Sequence, residues 1–174
     1  LEVSRAFASL KPDIHLNVLI HSRNAQRMNR LLAPVSEGHH FELIEVTEVG
    51  PATAIALRQK IDQGEVVVIV GDRVPVAARA STVSVPFLGF DAEFPQGPWV
   101  LAHLLKCPVM TLFCIKRDRR YHIFCEPFAD RVHLPRKTRV EEMKVVISRY
   151  ATRLERFCRD VPLQWYKFYP FWAP

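Results

Sequence analysis

Residues 64–113 set the architecture that the rest of the chain has to fit. Val66–Val70 is an unbroken run of β-branched residues, the pattern of a strand buried on both faces. It stops at Gly71-Asp72-Arg73, which sets an acid and a base where the carboxyl end of that strand opens onto solvent. In open α/β sheets, ligands bind just outside such strand ends. Thr82–Gly89 reads as a second strand, followed by a polar turn and Phe94-Pro95-Gln96-Gly97-Pro98. A helix is predicted from about Trp99 to Lys106, and another buried strand over Pro108–Ile115.

The rest of the chain supports this unit. Leu1–Leu10 is helix-compatible and stops at Lys11-Pro12-Asp13. His15–His21 and Phe41–Val46 are strand candidates, with a short amphipathic helix over Asn24–Leu32 and a loop over Ala33–His40 between them. Gly50-Pro51 opens a helix with Ala54, Leu57 and Ile61 on one face, and Gly64 terminates it. Lys116–Arg120 is a charged turn, after which Tyr121–Glu126 pairs back as a hairpin. Thr138-Arg139-Val140-Glu141 has capping-box spacing. It opens a helix whose apolar stripe is Val140, Met143, Ile147, Tyr150, Leu154 and Phe157. Alternating strands and helices predict an α/β fold, a three-layer α/β/α arrangement around a mostly parallel central sheet. With no internal repeat or linker, residues 1–174 read as a single domain.

With 174 residues, the chain can bury a substantial core. No apolar run reaches the ~18 residues that cross a bilayer, and no signal peptide is visible. A first residue of Leu, already in a helical pattern, suggests a piece of a longer protein. Cys107, Cys114, Cys125 and Cys158 show neither C-x-x-C nor zinc spacing, and read as free thiols in a reducing compartment. His39-His40 has no acidic or cysteine partner at suitable local spacing, so no metal is expected.

Charge is distributed unevenly. Residues 1–115 carry 10 lysines and arginines against 11 acids, and residues 116–174 carry 14 against 7. A basic C-terminal third suits an acidic partner such as anionic lipid, an acidic carrier protein or nucleic acid; it equally suits a well-solvated surface. The segment Pro162–Trp172 holds six aromatics in eleven residues. Either it lies at a membrane interface or its rings fold back onto the core.

Several chemistries have no signature here. No G-x-G-x-x-G follows a strand, and there is no G-x-x-x-x-G-K-[ST] to cradle nucleotide phosphates. There is no G-x-S-x-G nucleophile elbow. No nucleic-acid module appears either, and basic charge alone argues weakly for nucleic acid.

Taken in order, Gly64-Glu65-Val66, Gly71-Asp72-Arg73, Ser84-Val85-Pro86-Phe87-Leu88-Gly89, Phe94-Pro95-Gln96-Gly97-Pro98 with Leu101-Ala102, and Cys107-Pro108-Val109 resemble the lipid A biosynthesis acyltransferases. These belong to the lysophospholipid acyltransferase-like superfamily. Glu126-Pro127 and the closing Pro162-x-Gln164-Trp165-Tyr166 fit the same pattern. The resemblance implies a glycerolipid acyltransferase-like fold and transfer of a fatty acyl chain from an acyl carrier protein or acyl-CoA thioester to a lipid-linked hydroxyl. It implies no metal or organic cofactor.

The family's catalytic signature is His-x-x-x-x-Asp/Glu. Leu1-Glu2 resembles its end, which makes Glu2 the acidic member and puts the histidine upstream of Leu1, so a chain beginning here is expected to be inactive. The resemblance casts the histidine as general base and Glu2 as the group that holds its tautomer. Arg73 is implied to bind a phosphate or carboxylate of a substrate, as a guanidinium does well; a surface ion pair with Asp72 is the plainer reading. Asp72 either orients Arg73 or caps a turn. Gly97 and Pro98 match the element near the acceptor site, and also suit a loop-to-helix junction. Phe87, Leu88, Phe90, Phe94 and Trp99 are candidates to line an acyl channel, though each also suits the core.

The family's usual place is the cytoplasmic face of the bacterial inner membrane, with peripheral contact to anionic lipid. The rival readings are a non-catalytic lipid- or carrier-protein-binding domain and, more weakly, a nucleic-acid binder.

Overall fold

In a computed structural model, residues 7, 11, 13–20, 41–45, 51–74, 81–167 and 171–172 are described. Glu2, the helices expected over 1–10 (except Phe7, which is helical) and 24–32, and the His39-His40 loop lie outside them. The chain divides into two compact units, residues 1–70 and 71–174.

The first unit is α/β. Strands β1 (Leu16–Ile20), β2 (Phe41–Glu45) and β3 (Val66–Val68) form a parallel sheet in the order β2-β1-β3, with helix α1 (Pro51–Asp62) on the crossover from β2 to β3. Leu16 pairs with Phe41 on one side and with Val66 on the other. The buried centre is therefore β1, where Leu16, Val18 and Leu19 are almost fully covered. The expected two-faced burial of Val66–Val70 is corrected: its ladder spans three residues, and Val66 and Val70 are exposed. A strand at the edge of the described sheet has a neighbour on one side only, so a fully apolar run does not guarantee burial. Leu57 is the buried residue of α1, and Gly64 ends the segment at φ +84°, the left-handed conformation that glycine adopts without a Cβ clash.

Polar contacts lock the starts of these strands. Buried Asn17 donates through Nδ2 to Glu65 Oε2 at 2.7 Å, and Lys60 Nζ reaches Glu42 at 2.9 Å and Glu65 at 3.5 Å. Asn17 is the main reason the Glu65 carboxyl is held below its ordinary range, with Lys60 and His15 assisting.

The second unit is built from two antiparallel hairpins and a long helix. Strands β4 (Thr82–Phe87) and β5 (Phe90–Pro95) pair through Val85 opposite Ala92 and Phe87 opposite Phe90. Helix α2 (Gly97–Leu105) follows, then β6 (Val109–Arg117) and β7 (Arg120–Ala129), helix α3 (Arg139–Asp160), and a short 3₁₀ turn at Pro162–Gln164. The expected parallel sheet is found in β1–β3 and the expected hairpin in β6–β7; among the described residues, β4–β5 is a second antiparallel pair. The reason lies in the loops. Leu88 and Gly89 both have positive φ, as do Asp118 and Arg119, and two such residues make the tight turn that reverses a strand. Phe90–Glu93, read from sequence as a polar turn, is instead the first part of β5.

Alternation makes β4–β5 amphipathic. Val85, Phe87, Ala92 and Phe94 are buried, whereas Ser84, Pro86, Asp91 and Glu93 face solvent. Met143, Ile147, Ala151 and Leu154 of α3 complete this core. Val140, expected in the stripe, is 75% exposed because it sits in the first turn. The capping box is also absent: Thr138 makes no side-chain cap bond at φ −116°, ψ 20°, and its carbonyl simply accepts from Glu142 N–H at 2.9 Å.

The basic excess of the last third is partly spent inside the unit. A register shift at Val109/Met110 leaves carbonyls that arginines of α3 satisfy: Arg149 donates to Phe128 O at 2.8 Å and Arg153 to Pro127 O at 2.7 Å. Both guanidinium groups lie over the Phe128 ring, near 5 Å from its centroid. Arg156 pairs with Glu126, Arg159 with Glu155 and Arg117 with Asp160. Local sequence counts charges; only packing shows which are already engaged.

Candidate functional site

The Gly71-Asp72-Arg73 corner opens the second unit, and the C-terminal segment closes over it. Gln164 clamps onto β6, accepting from Lys116 N–H at 2.6 Å and donating to Lys116 O at 2.8 Å. This directs the next residues towards Asp72. Trp165 Nε1 donates to Asp72 Oδ2 at 3.1 Å. Lys167 Nζ meets the same oxygen at 3.0 Å and the Asp72 carbonyl at 2.6 Å. The Lys167 side chain is only 5% exposed, and its ammonium also stands over the Trp165 and Phe171 rings at 5.7 and 5.4 Å.

Among the described residues of the tail, Trp165, Phe171 and Trp172 fold back onto the core. Phe87, fully buried, meets Trp165 at 5.1 Å and Phe171 at 5.7 Å between centroids. Trp172 stacks on the Phe87 ring and donates through Nε1 to Phe87 O at 3.2 Å. Tyr166 and Leu163 remain exposed.

Gly71 needs its missing side chain. A Cβ there would stand 2.9 Å from Tyr150 Cζ and 3.0 Å from its hydroxyl. Tyr150 has little room to retreat, since Trp99, Phe94 and Phe113 surround it at 5.4, 6.2 and 6.3 Å. Burial, aided by the Asp72 carboxylate, drives the Tyr150 hydroxyl well above its ordinary range. Burial likewise pushes the Cys158 thiol up to about 11, with Asp72 and Glu155 contributing. Neither group ionises near neutral pH. Gly71→Ala should therefore cost about 1–3 kcal/mol through overpacking, measured as a lower unfolding midpoint. A variant as stable as the original would show that the tyrosine can move.

Tyr150 also links the corner to Gly97 and Pro98. These residues open α2, with Trp99 and Val100 N–H donating to Gln96 O at 3.0 Å each. The Gln96 side chain holds Thr82 O at 2.9 Å. A Cβ on Gly97 would meet nothing within 4 Å, so space is open at this helix start. One tyrosine ring therefore touches both Gly71 and Trp99, the residue after Pro98. Arg73 is exposed, and among the described residues it forms no ion pair. Asp72 does not take Arg73 as its partner; Lys167 and Trp165 occupy its carboxylate.

Of the acyl-channel candidates, Phe87, Phe94 and Trp99 are core residues at 0, 0 and 5% exposure. Phe90 is exposed at the hairpin end, and Leu88 sits in the turn, its N–H donating to Glu155 Oε2 at 3.0 Å. That bond, then Arg159, holds the Glu155 carboxyl below its ordinary range. Sequence reasoning passed over Lys167 and Tyr150 as site neighbours. The signal for Lys167 was a lone cation inside a run of aromatics; nothing local marked Tyr150 apart from its place in the α3 stripe.

None of the four cysteines is in a disulfide, and no cluster of three metal-ligating side chains occurs among the described residues. No helix among them is long and apolar enough to cross a membrane.

A search of curated proteins finds no match to the chain. The family model for bacterial lipid A biosynthesis acyltransferases, in contrast, matches residues 8–173, a span that takes in both units, the Gly71-Asp72-Arg73 corner, the Gly97-Pro98 helix start and the Gln164-Trp165 clamp. The chain belongs to the bacterial lipid A biosynthesis acyltransferase family.

Proposed function

We propose that the protein is an O-acyltransferase that moves a fatty acyl chain from an acyl carrier protein or coenzyme A thioester to the hydroxyl of a lipid-linked acceptor. The family match over residues 8–173 carries this reading. In the proposed reaction, the histidine of the family's His-x-x-x-x-Glu signature ending at Glu2 takes the acceptor's proton as general base, and Glu2 holds the imidazole in the tautomer that can accept it. The acceptor oxygen attacks the thioester carbonyl. The carbon–sulfur bond then breaks, and the sulfur leaves as thiol with the proton returned by the imidazolium. One ester forms for each thioester consumed.

Arg73 binds an anionic group of substrate, a role supported by its exposure and its lack of an ion pair among the described residues. Asp72 supports that corner, and Gly97-Pro98 borders the acceptor hydroxyl, where the open space at Gly97 leaves room for it. In the fold proposed with this function, residues 1–174 make one acyltransferase-like domain of three layers, α/β/α. One feature favouring it is the outer side of β6–β7, where Met110, Leu112, Cys114, Ile123 and Cys125 lie on the side opposite to α3 and give a further helix an apolar surface to cover. The protein works at the cytoplasmic face of the bacterial inner membrane, touching anionic lipid peripherally; its net charge of +6 suits both that surface and an acidic carrier.

The test is acyl transfer by a protein that carries the His-x-x-x-x-Glu signature ending at Glu2, given a radiolabelled acyl carrier protein thioester and an extract of membrane lipids. The expected result is a labelled, alkali-labile lipid ester and one free thiol per ester. Saturable lipid binding without ester or thiol would instead identify a non-catalytic lipid-binding domain.

A further inference from the structure

We propose that Lys167 is a positioning residue: by taking up the Asp72 carboxylate, it leaves the neighbouring Arg73 guanidinium unpaired for an oxyanion of the substrate, a phosphate or carboxylate. The inference rests on the reading of Arg73 as a substrate-binding residue.

Asp72 and Arg73 are consecutive, so a free Asp72 carboxylate would lie within reach of the guanidinium and compete with any incoming anion. Two donors prevent this. Lys167 Nζ and Trp165 Nε1 converge on Asp72 Oδ2 at 3.0 and 3.1 Å, and Lys167 also holds the Asp72 carbonyl at 2.6 Å, fixing backbone and side chain together. Lys167 is 5% exposed and Asp72 18% exposed, so the pair is largely shielded from solvent and from salt. An ammonium this deeply buried requires a partner, since an uncompensated buried charge is strongly unfavourable. Asp72 is therefore committed inward. Arg73, one residue on, stays at the surface without an ion pair among the described residues, and a guanidinium there offers a planar fork that fits an oxyanion through two parallel bonds. The charges sort by depth: one pair sealed beneath the aromatic tail, one cation left outside.

The test measures binding to two probes: inorganic phosphate, by calorimetry, and phosphatidylcholine vesicles containing phosphatidic acid, by co-sedimentation. Affinity is measured well below the unfolding midpoint, with folding checked by circular dichroism. Arg73→Ala should weaken binding about tenfold, the scale of one charge-assisted contact. Lys167→Met should weaken it to a similar extent, because the released Asp72 carboxylate pairs with Arg73. Two double variants then separate positioning from mere stability. Lys167→Met with Asp72→Asn removes the competitor and should restore affinity to within about twofold of the original. Lys167→Met with Arg73→Ala should bind no more weakly than Arg73→Ala alone, whereas a purely structural lysine would make the two losses add.

Should Lys167→Met fail to fold, Lys167→Leu, which likewise removes both the charge and the donor, carries the same expectations. Weakening on both probes assigns the oxyanion itself as the ligand; weakening on vesicles alone assigns a lipid headgroup. If Arg73→Ala changes neither probe, the substrate-binding reading of Arg73 falls, and this inference with it. If Arg73→Ala weakens binding and neither Lys167 variant does, the positioning role alone is overturned.

Discussion

Phe87→Ala should destabilise the second unit by about 3–5 kcal/mol, the cost of emptying a fully buried aromatic site. Phe87 has no exposed surface, and its ring is the point where four others meet: Phe94 at 5.5 Å, Trp165 at 5.1 Å, Phe171 at 5.7 Å and Trp172 at 6.2 Å. Three of those belong to the C-terminal segment, so the cavity would open where the tail docks. The tail could collapse into it only by pulling Trp165 away from Asp72, which breaks the 3.1 Å bond and strips cover from Lys167. Two readouts follow. The unfolding midpoint should fall on the order of 10 °C, and tryptophan emission should shift to the red as Trp165 and Trp172 become hydrated. Phe87→Leu, which keeps most of the volume, should cost much less. A small loss for Phe87→Ala, with unchanged emission, would mean that the tail is held by something other than this ring.

The second large effect concerns rate. In a protein carrying the proposed His-x-x-x-x-Glu signature that ends at Glu2, Glu2→Ala should slow acyl transfer by ~10²–10⁴, the range associated with a positioned general acid or base. The proposed carboxylate touches no substrate. Its work is to hold one imidazole nitrogen protonated and aimed, leaving the other free to take the hydroxyl proton. The loss should therefore fall on kcat with little change in KM for either substrate. Replacing the histidine itself should cost at least as much, and replacing both no more than the histidine alone, because the carboxylate acts only through the imidazole. Transfer at the original rate after both changes would remove the dyad from the mechanism.

How much of this was legible beforehand depends on the range of the interaction involved. The α3 stripe was readable because a helix closes its own bonds within four residues, and its period therefore appears in the sequence. Met143, Ile147 and Leu154 are buried as that period requires. Gly64 as terminator and Pro98 at a helix start were equally local, each resting on one residue's backbone freedom. Strand partners were less so. Val66–Val68 and Thr82–Phe87 both read as strands, yet one pairs in parallel with β1 and the other antiparallel with β5. A strand carries no record of a distant neighbour, and the turn at Leu88-Gly89 lacks the Asn-Gly type of signal that would have announced its hairpin, whereas the charged turn at Lys116–Arg120 did mark the pairing of β6 with β7.

The family, most of the segments that become helix or strand, and the candidate residues Glu2, Asp72, Arg73, Gly97 and Pro98 could be read from the residues alone, because ordered motifs and local periodicity survive without coordinates. Which charges are engaged is fixed by the packing of distant segments. Ninety-odd residues separate Asp72 from Trp165 and Lys167, and nothing in either segment names the other; they meet because Gln164 grips β6 and Phe87 draws the aromatic tail inward. Packing brings distant donors onto one carboxylate, and burial then makes that choice of partner hard to exchange.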